Sequence, residues 1–135
     1  MARTRILLAD PNASMLAMTT ELLGEYFEIV GAVRTSADAL RCLPETQPDL
    51  ILLDVVLDDM NGFELGNQLH KMSPETRILY FTMYEGPAFV YTAFAAGASG
   101  YVFKSRASSD LVKAVQAVCR GEQFRPTIAA RRERA

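Results

Sequence analysis

Four side chains that can do chemistry stand directly behind short apolar runs: Asp10 after residues 6–9, Asp54 after 50–53, Thr82 within 78–83, and Lys104 after 100–103. If those runs are neighbouring strands, two carboxylates come side by side and repel unless a cation or an ammonium shares the site. Mg²⁺ suits a site of few oxygens completed by waters. A carboxylate can also attack phosphorus and form an aspartyl phosphate once metal and ammonium charges neutralise the incoming oxygens. Asp54 is the better nucleophile candidate. Taken singly, an Asp in such a place is as a rule a cap or turn residue and a Lys a solvated one; the joint pattern at four strand ends is what points to a site.

The elements that must position these residues follow from the apolar pattern. Runs at 6–9, 27–33, 50–53, 78–83 and 100–103 are short and continuous rather than alternating, which predicts strands buried on both faces, as in a parallel sheet. Between them, 13–26, 37–43, 62–72, 87–96 and 108–120 carry helical spacing. Asn12 and Ser36 are N-cap candidates, Pro87 suits a first helical turn, and Gly97 and Gly121 suit helix ends. Strand and helix alternate five times, so the expected architecture is α/β, an open doubly wound sheet with helices on both faces. On such a sheet ligands sit beyond the strand C-termini, where the four residues stand.

Composition bounds the remaining classes. The chain has 135 residues, half of them hydrophobic and 22% charged, which is one domain with one core. Fourteen basic residues against sixteen acidic ones give a net charge of -2 and no electrostatic footprint for nucleic acid, so direct nucleic-acid binding is not expected. No apolar run approaches the ~20 residues of a membrane span and no signal-like stretch opens the chain; a cytoplasmic protein without membrane contact is the expectation. Cys42 and Cys119 lack metal-ligand spacing and are read as reduced, part-buried helix residues, and His70, the only histidine, as a solvated helix residue. The tail 130–135 reads as a linker start or frayed end.

Two segments carry a family resemblance. Leu52-Leu53-Asp54-Val55-Val56-Leu57 followed by Gly62 resembles the phosphoacceptor segment of receiver domains of bacterial two-component response regulators, and the stretch 96–105, ending in Phe103-Lys104-Ser105, resembles the approach to their lysine. The resemblance covers about 3–121, and the exit at 120–126 is similar to that of the NarL/LuxR subfamily. It implies a flavodoxin-like five-stranded parallel sheet of order 2-1-3-4-5 with five helices, a receiver domain over 1–121, and a linker or tail over 122–135. It implies phosphorylation of Asp54 by a sensor histidine kinase, with Thr82 and Lys104 binding the phosphoryl group and Tyr101 as an aromatic switch. Asp10, Asp54 and the carbonyl of Val56 become the Mg²⁺ ligands. The output would be a changed protein interaction face controlling transcription through a DNA-binding domain that this chain does not contain, with no enzymatic activity beyond self-phosphorylation and dephosphorylation.

The sequence departs from the family pattern in three places. The second acid after the first strand is replaced by Pro11, which has neither a side-chain oxygen nor an amide hydrogen. A unit charge at ~4 Å is worth up to about 4 kcal/mol at an effective dielectric near 20, before desolvation and carboxylate repulsion are subtracted, so weakened Mg²⁺ binding is expected. Asp58 and Asp59 add negative charge beyond the acceptor, read chiefly as solvated loop residues, and Met83 puts a bulky thioether where the family has a small residue, so it could obstruct access to the site. The helix at 87–96 is apolar round most of its circumference, with Phe89 and Phe94 about 140° apart. With the fifth strand and fifth helix it is read as a partner or homodimer face.

The alternative reading is a phosphorylation-independent pseudo-receiver that uses that face constitutively. An aspartyl-nucleophile phosphatase would want an acid where Val56 stands, and a flavin-binding fold would want a Ser/Thr/Gly-rich loop where Asp10-Pro11-Asn12-Ala13-Ser14 stands.

Overall fold

The computed structural model describes residues 3–57 and 60–127. β1 (Arg5–Ala9), α1 (Ala13–Gly24), β2 (Glu28–Val33), α2 (Ser36–Thr46) and β3 (Leu50–Leu53) are followed by a small antiparallel pair, β4 (Val56–Leu57) and β5 (Met60–Asn61). Then come α3 (Gly62–Met72), β6 (Arg77–Thr82), α4 (Pro87–Ala95), β7 (Gly100–Phe103), a 3₁₀ turn (Lys104–Arg106) and α5 (Ala107–Cys119). The main sheet is parallel in the order β2-β1-β3-β6-β7. Counting only its own five strands, this is the expected order 2-1-3-4-5.

Side-chain alternation divides the continuous apolar runs between two cores. Leu7, Ile51, Leu53, Tyr80, Tyr101 and Phe103 face α2, α3 and α4, while Ile6, Leu8, Leu50, Leu52, Phe81 and Val102 face α1 and α5. Each fully buried aliphatic side chain contributes about 1.5–3 kcal/mol, so the register of the central strands is firmly set. A slip of one residue would exchange the two cores and carry Asp10 or Asp54 away from the sheet edge.

Local chemistry fixes the helix ends. The Asn12 side chain accepts from the Met15 amide, and Gly97 (φ 101°) and Gly121 (φ 89°) take left-handed conformations just past α4 and α5. The cap of α2 is Thr35 rather than Ser36: its hydroxyl accepts from the Asp38 amide at 3.1 Å, and Ser36 is the first helical residue. α2 also runs through Pro44 to Thr46, three residues beyond the predicted end, and closes with the Gln47 amide donating to Leu43 O in a left-handed cap. β2 is an edge strand with half-exposed residues instead of a strand buried on both faces. The pair β4–β5 was not predicted, since two-residue strands leave no periodic signal. Cys119 is exposed, Cys42 half-buried and His70 exposed. Asp58, Asp59 and the tail 130–135 lie outside the described residues.

Candidate functional site

The parallel register brings the four reactive residues to one edge of the sheet. Asp10 follows β1 and Asp54 follows the adjacent β3, held in place by hydrogen bonds from the Asp10 amide to Val33 O and from the Asp54 amide to Ala9 O. Both carboxylates are about nineteen-twentieths buried, at 5% and 6% exposure. Lys104 leaves β7, two strands from β3, so only a long side chain can cross the intervening β6 at ~4.8 Å per strand. It does so: Lys104 Nζ lies 2.7 Å from Asp10 Oδ2 and 2.8 Å from Asp54 Oδ2. Burial disfavours the ammonium, but the hydrogen bonds to Asp10 and Asp54, with the charges of both acids, outweigh it and hold its pKa above the ordinary lysine value.

The remaining carboxylate oxygens face the loops. Asp10 Oδ1 accepts from the Asn12 amide at 2.8 Å, and Asp54 Oδ1 lies 3.4 Å from the Val56 amide. The Pro11 carbonyl accepts from Arg34 Nε at 2.9 Å, so the position without an acid is tied to a cation from the end of β2. The two adjoining carboxylates of Asp10 and Asp54 fit Mg²⁺, which is commonly held by one or two carboxylates and completed by waters or phosphate oxygens. Among the described residues no cluster of three or more His, Cys, Asp and Glu side chains could hold a metal without such help.

Thr82 ends β6 beside β3, fully buried, with Oγ1 3.5 Å from the Tyr84 amide. Tyr101 is also fully buried, and its hydroxyl donates to the Tyr84 carbonyl at 2.6 Å. Burial, then the charges of Asp54 and Glu85, push the Tyr101 phenol well above its usual range; burial and Tyr101 do the same to Tyr80. Met83 is 71% exposed, so most of its thioether lies in solvent.

Three contributions to the site had no clear sequence signal. Arg34 is one, because its role depends on the packing of β2 beside β1. Tyr80 is another: its hydroxyl donates to Gly62 O at 3.1 Å, and a Cβ at Gly66 would collide with that hydroxyl. The third is the reason for Gly62, whose spacing was noted. The Gly62 amide donates to Val55 O at 2.6 Å, and any Cβ there would fall on the main-chain oxygens of Asp54 and Val55. On α4, Val90 and Ala93 face the core while Phe89 and Tyr91 are exposed, Tyr91 at 76%.

Known proteins resemble this chain in sequence and fold. Residues 6–116 match the response regulator receiver domain family. The response regulator protein VraR of Staphylococcus aureus (strain NCTC 8325 / PS 47) is 35% identical over 102 residues, covering 75% of this chain and 49% of VraR. VraR of Staphylococcus epidermidis is 33% identical over 105 residues, 77% of this chain and 50% of that protein. The chain thus spans about half the length of these curated relatives. The crystal structure of a LuxR-family two-component response regulator from Aurantimonas sp. SI85-9A1 superposes with a TM-score of 0.86 at 33% identity, covering 91% of this chain and 89% of the other. The isolated receiver domain of RcsB from Salmonella enterica serovar Typhimurium, solved with the phosphomimetic BeF₃⁻, shares the fold at a TM-score of 0.87 and 24% identity, over 96% of this chain and 97% of the other. With the matched residues spanning the sheet from β1 into α5, the chain belongs to the response regulator receiver domain family.

Proposed function

We propose that this domain is the phosphoacceptor of a two-component phosphorelay and that Asp54 is the residue phosphorylated. The single observation that carries this reading is the Lys104 ammonium bridging two buried carboxylates, with the Thr82 hydroxyl on the intervening strand. An Asp54 oxygen attacks the phosphorus of a sensor kinase phosphohistidine, an acyl phosphate P–O bond forms, and the donor's P–N bond breaks with its electron pair leaving on the imidazole. Lys104 stays within reach of the phosphoryl oxygens and Thr82 offers its hydroxyl to one of them. Mg²⁺, when bound by Asp10, Asp54 and the Val56 carbonyl, neutralises phosphoryl charge. Pro11 leaves this set one acid short, which weakens metal binding.

The domain is a switch rather than an enzyme with a separate substrate. When Thr82 turns to the phosphoryl group, the Tyr84 segment and Tyr101 repack, shifting a two-state population. The face of α4, β7 and α5, with Phe89 and Tyr91 exposed, is the readout, through a homodimer or another protein. The reading extends to transcription control in the cytoplasm through an output domain, as the family resemblance implies. Among the described residues no helix is long and apolar enough to cross a membrane.

Intact mass after incubation with Mg²⁺ and acetyl phosphate tests the reading, with Asp54→Ala as control. A phosphoryl adduct on the parent that is missing from the variant is expected. Folded protein that takes no phosphoryl group from acetyl phosphate or from a histidine kinase overturns it.

A further inference from the structure

Residues 122–127, beyond α5, do not leave the sheet. After the left-handed turn at Gly121 the chain reverses and runs parallel to β7, with the Phe124 amide donating to Ser99 O and the Tyr101 amide donating to Phe124 O, both at 3.1 Å. Three side chains seat it. Phe124 packs against the core shared by α1 and α5, the Arg125 guanidinium lies 3.9 Å from the ring centroid of Phe94 on α4, and Pro126 is buried. Gly100 makes room from the other side, since a Cβ there would meet Leu79 and stand 3.4 Å from Phe124 Cβ.

This segment, 122–127, therefore touches both movable parts of the proposed switch. Tyr101 holds it with the main chain while holding the β6–α4 loop with its side chain, through Tyr84 O. Phe94 holds it from the far end of the helix that this loop begins. We infer that residues 122–127 form a strap, docked along β7 and against α4, that couples the state of Tyr101 to the chain that follows. The inference rests on the phosphoacceptor reading and adds the output link. The strap is seated in the conformation in which Tyr101 is buried, so a ligand at Asp54 that favours buried Tyr101 tightens the strap. By reciprocity, loosening the strap weakens that ligand's binding by the same factor.

Hydrogen exchange on the full 135-residue chain, with and without beryllofluoride and Mg²⁺, tests this alongside Arg125→Ala, which removes the stacking on Phe94 from an exposed residue. Beryllofluoride is expected to slow exchange at the Tyr101 and Phe124 amides by at least about fivefold, the lower end of measured couplings between sites. Arg125→Ala is expected to speed exchange at Phe124 in the free protein and to weaken beryllofluoride binding. If beryllofluoride binds, seen as protection around Asp54, while strap exchange and the affinity of Arg125→Ala stay unchanged, the strap is not coupled and the phosphoacceptor reading survives. If it does not bind and acetyl phosphate does not label Asp54, both fall; if Asp54 is labelled, the same exchange comparison on the phosphorylated protein decides the strap.

Discussion

The hydroxyl of Tyr101 donates to the main-chain carbonyl of Tyr84 at 2.6 Å, tying the last strand of the sheet to the loop that follows Thr82. This bond joins β7 to the loop that leads into α4. Tyr80 lies beside Tyr101, with ring centroids 6.2 Å apart.

Removing that bond should be measurable in stability. Tyr101→Phe keeps the ring and leaves the Tyr84 carbonyl without this donor, so urea denaturation should show a loss of about 1–2 kcal/mol. Tyr101→Ala also opens a cavity in the core and should lose about 3–5 kcal/mol. Equal stability of Tyr101→Phe and parent would remove the bond from the account.

Lys104 is the counter-charge of the acid pair. Lys104→Met leaves Asp10 and Asp54 buried beside one another without it, and a loss of about 3–5 kcal/mol is expected in denaturation without divalent cations. Mg²⁺ should then raise the Tm of the variant more than that of the parent, because the metal no longer competes with the ammonium. An equal rise in both proteins would show that Lys104 and the metal do not share these oxygens.

Gly62 is required by close approach, since a Cβ would fall on the main-chain oxygens of Asp54 and Val55. Gly62→Ala should cost roughly 1–3 kcal/mol through forced backbone movement and should slow acetyl phosphate labelling of Asp54. The end of α1, on the opposite face of the sheet, supplies the comparison: Gly24→Ala has nothing within 4 Å of the new carbon and should label like the parent.

Tyrosine ionisation gives a pH dependence. Both Tyr80 and Tyr101 hold their protons more tightly when folded, chiefly because burial disfavours the phenolate. The unfolded chain releases these protons from about pH 10 while the native state keeps them. The native state then binds more protons, so the stability these phenols contribute is whole below pH 10 and is lost as pH rises from there through the folded values. Tyrosinate absorbance should show two of the five tyrosines ionising only together with the loss of structure. Full reversible ionisation in the folded state would contradict their burial.

The sequence by itself determined the strand and helix alternation, because continuous apolar runs and helical spacing are local signals. It placed Asp10, Asp54, Thr82 and Lys104 at strand ends for the same reason, and the Pro11 departure is visible in one residue. The strand order came from the family resemblance and not from the apolar pattern, and tertiary structure decided which side chains that order brings into contact. Only the order β2-β1-β3-β6-β7 brings Lys104 across β6 to both carboxylates and Arg34 to the Pro11 carbonyl. The docking of 122–127 was hidden for a related reason: Phe124, Arg125 and Pro126 make no periodic pattern, and their partners Gly100, Tyr101 and Phe94 lie more than twenty residues away in the chain. Apolar period reports which face of an element is buried; it carries no information about the long-range pairings that turn buried faces into a site.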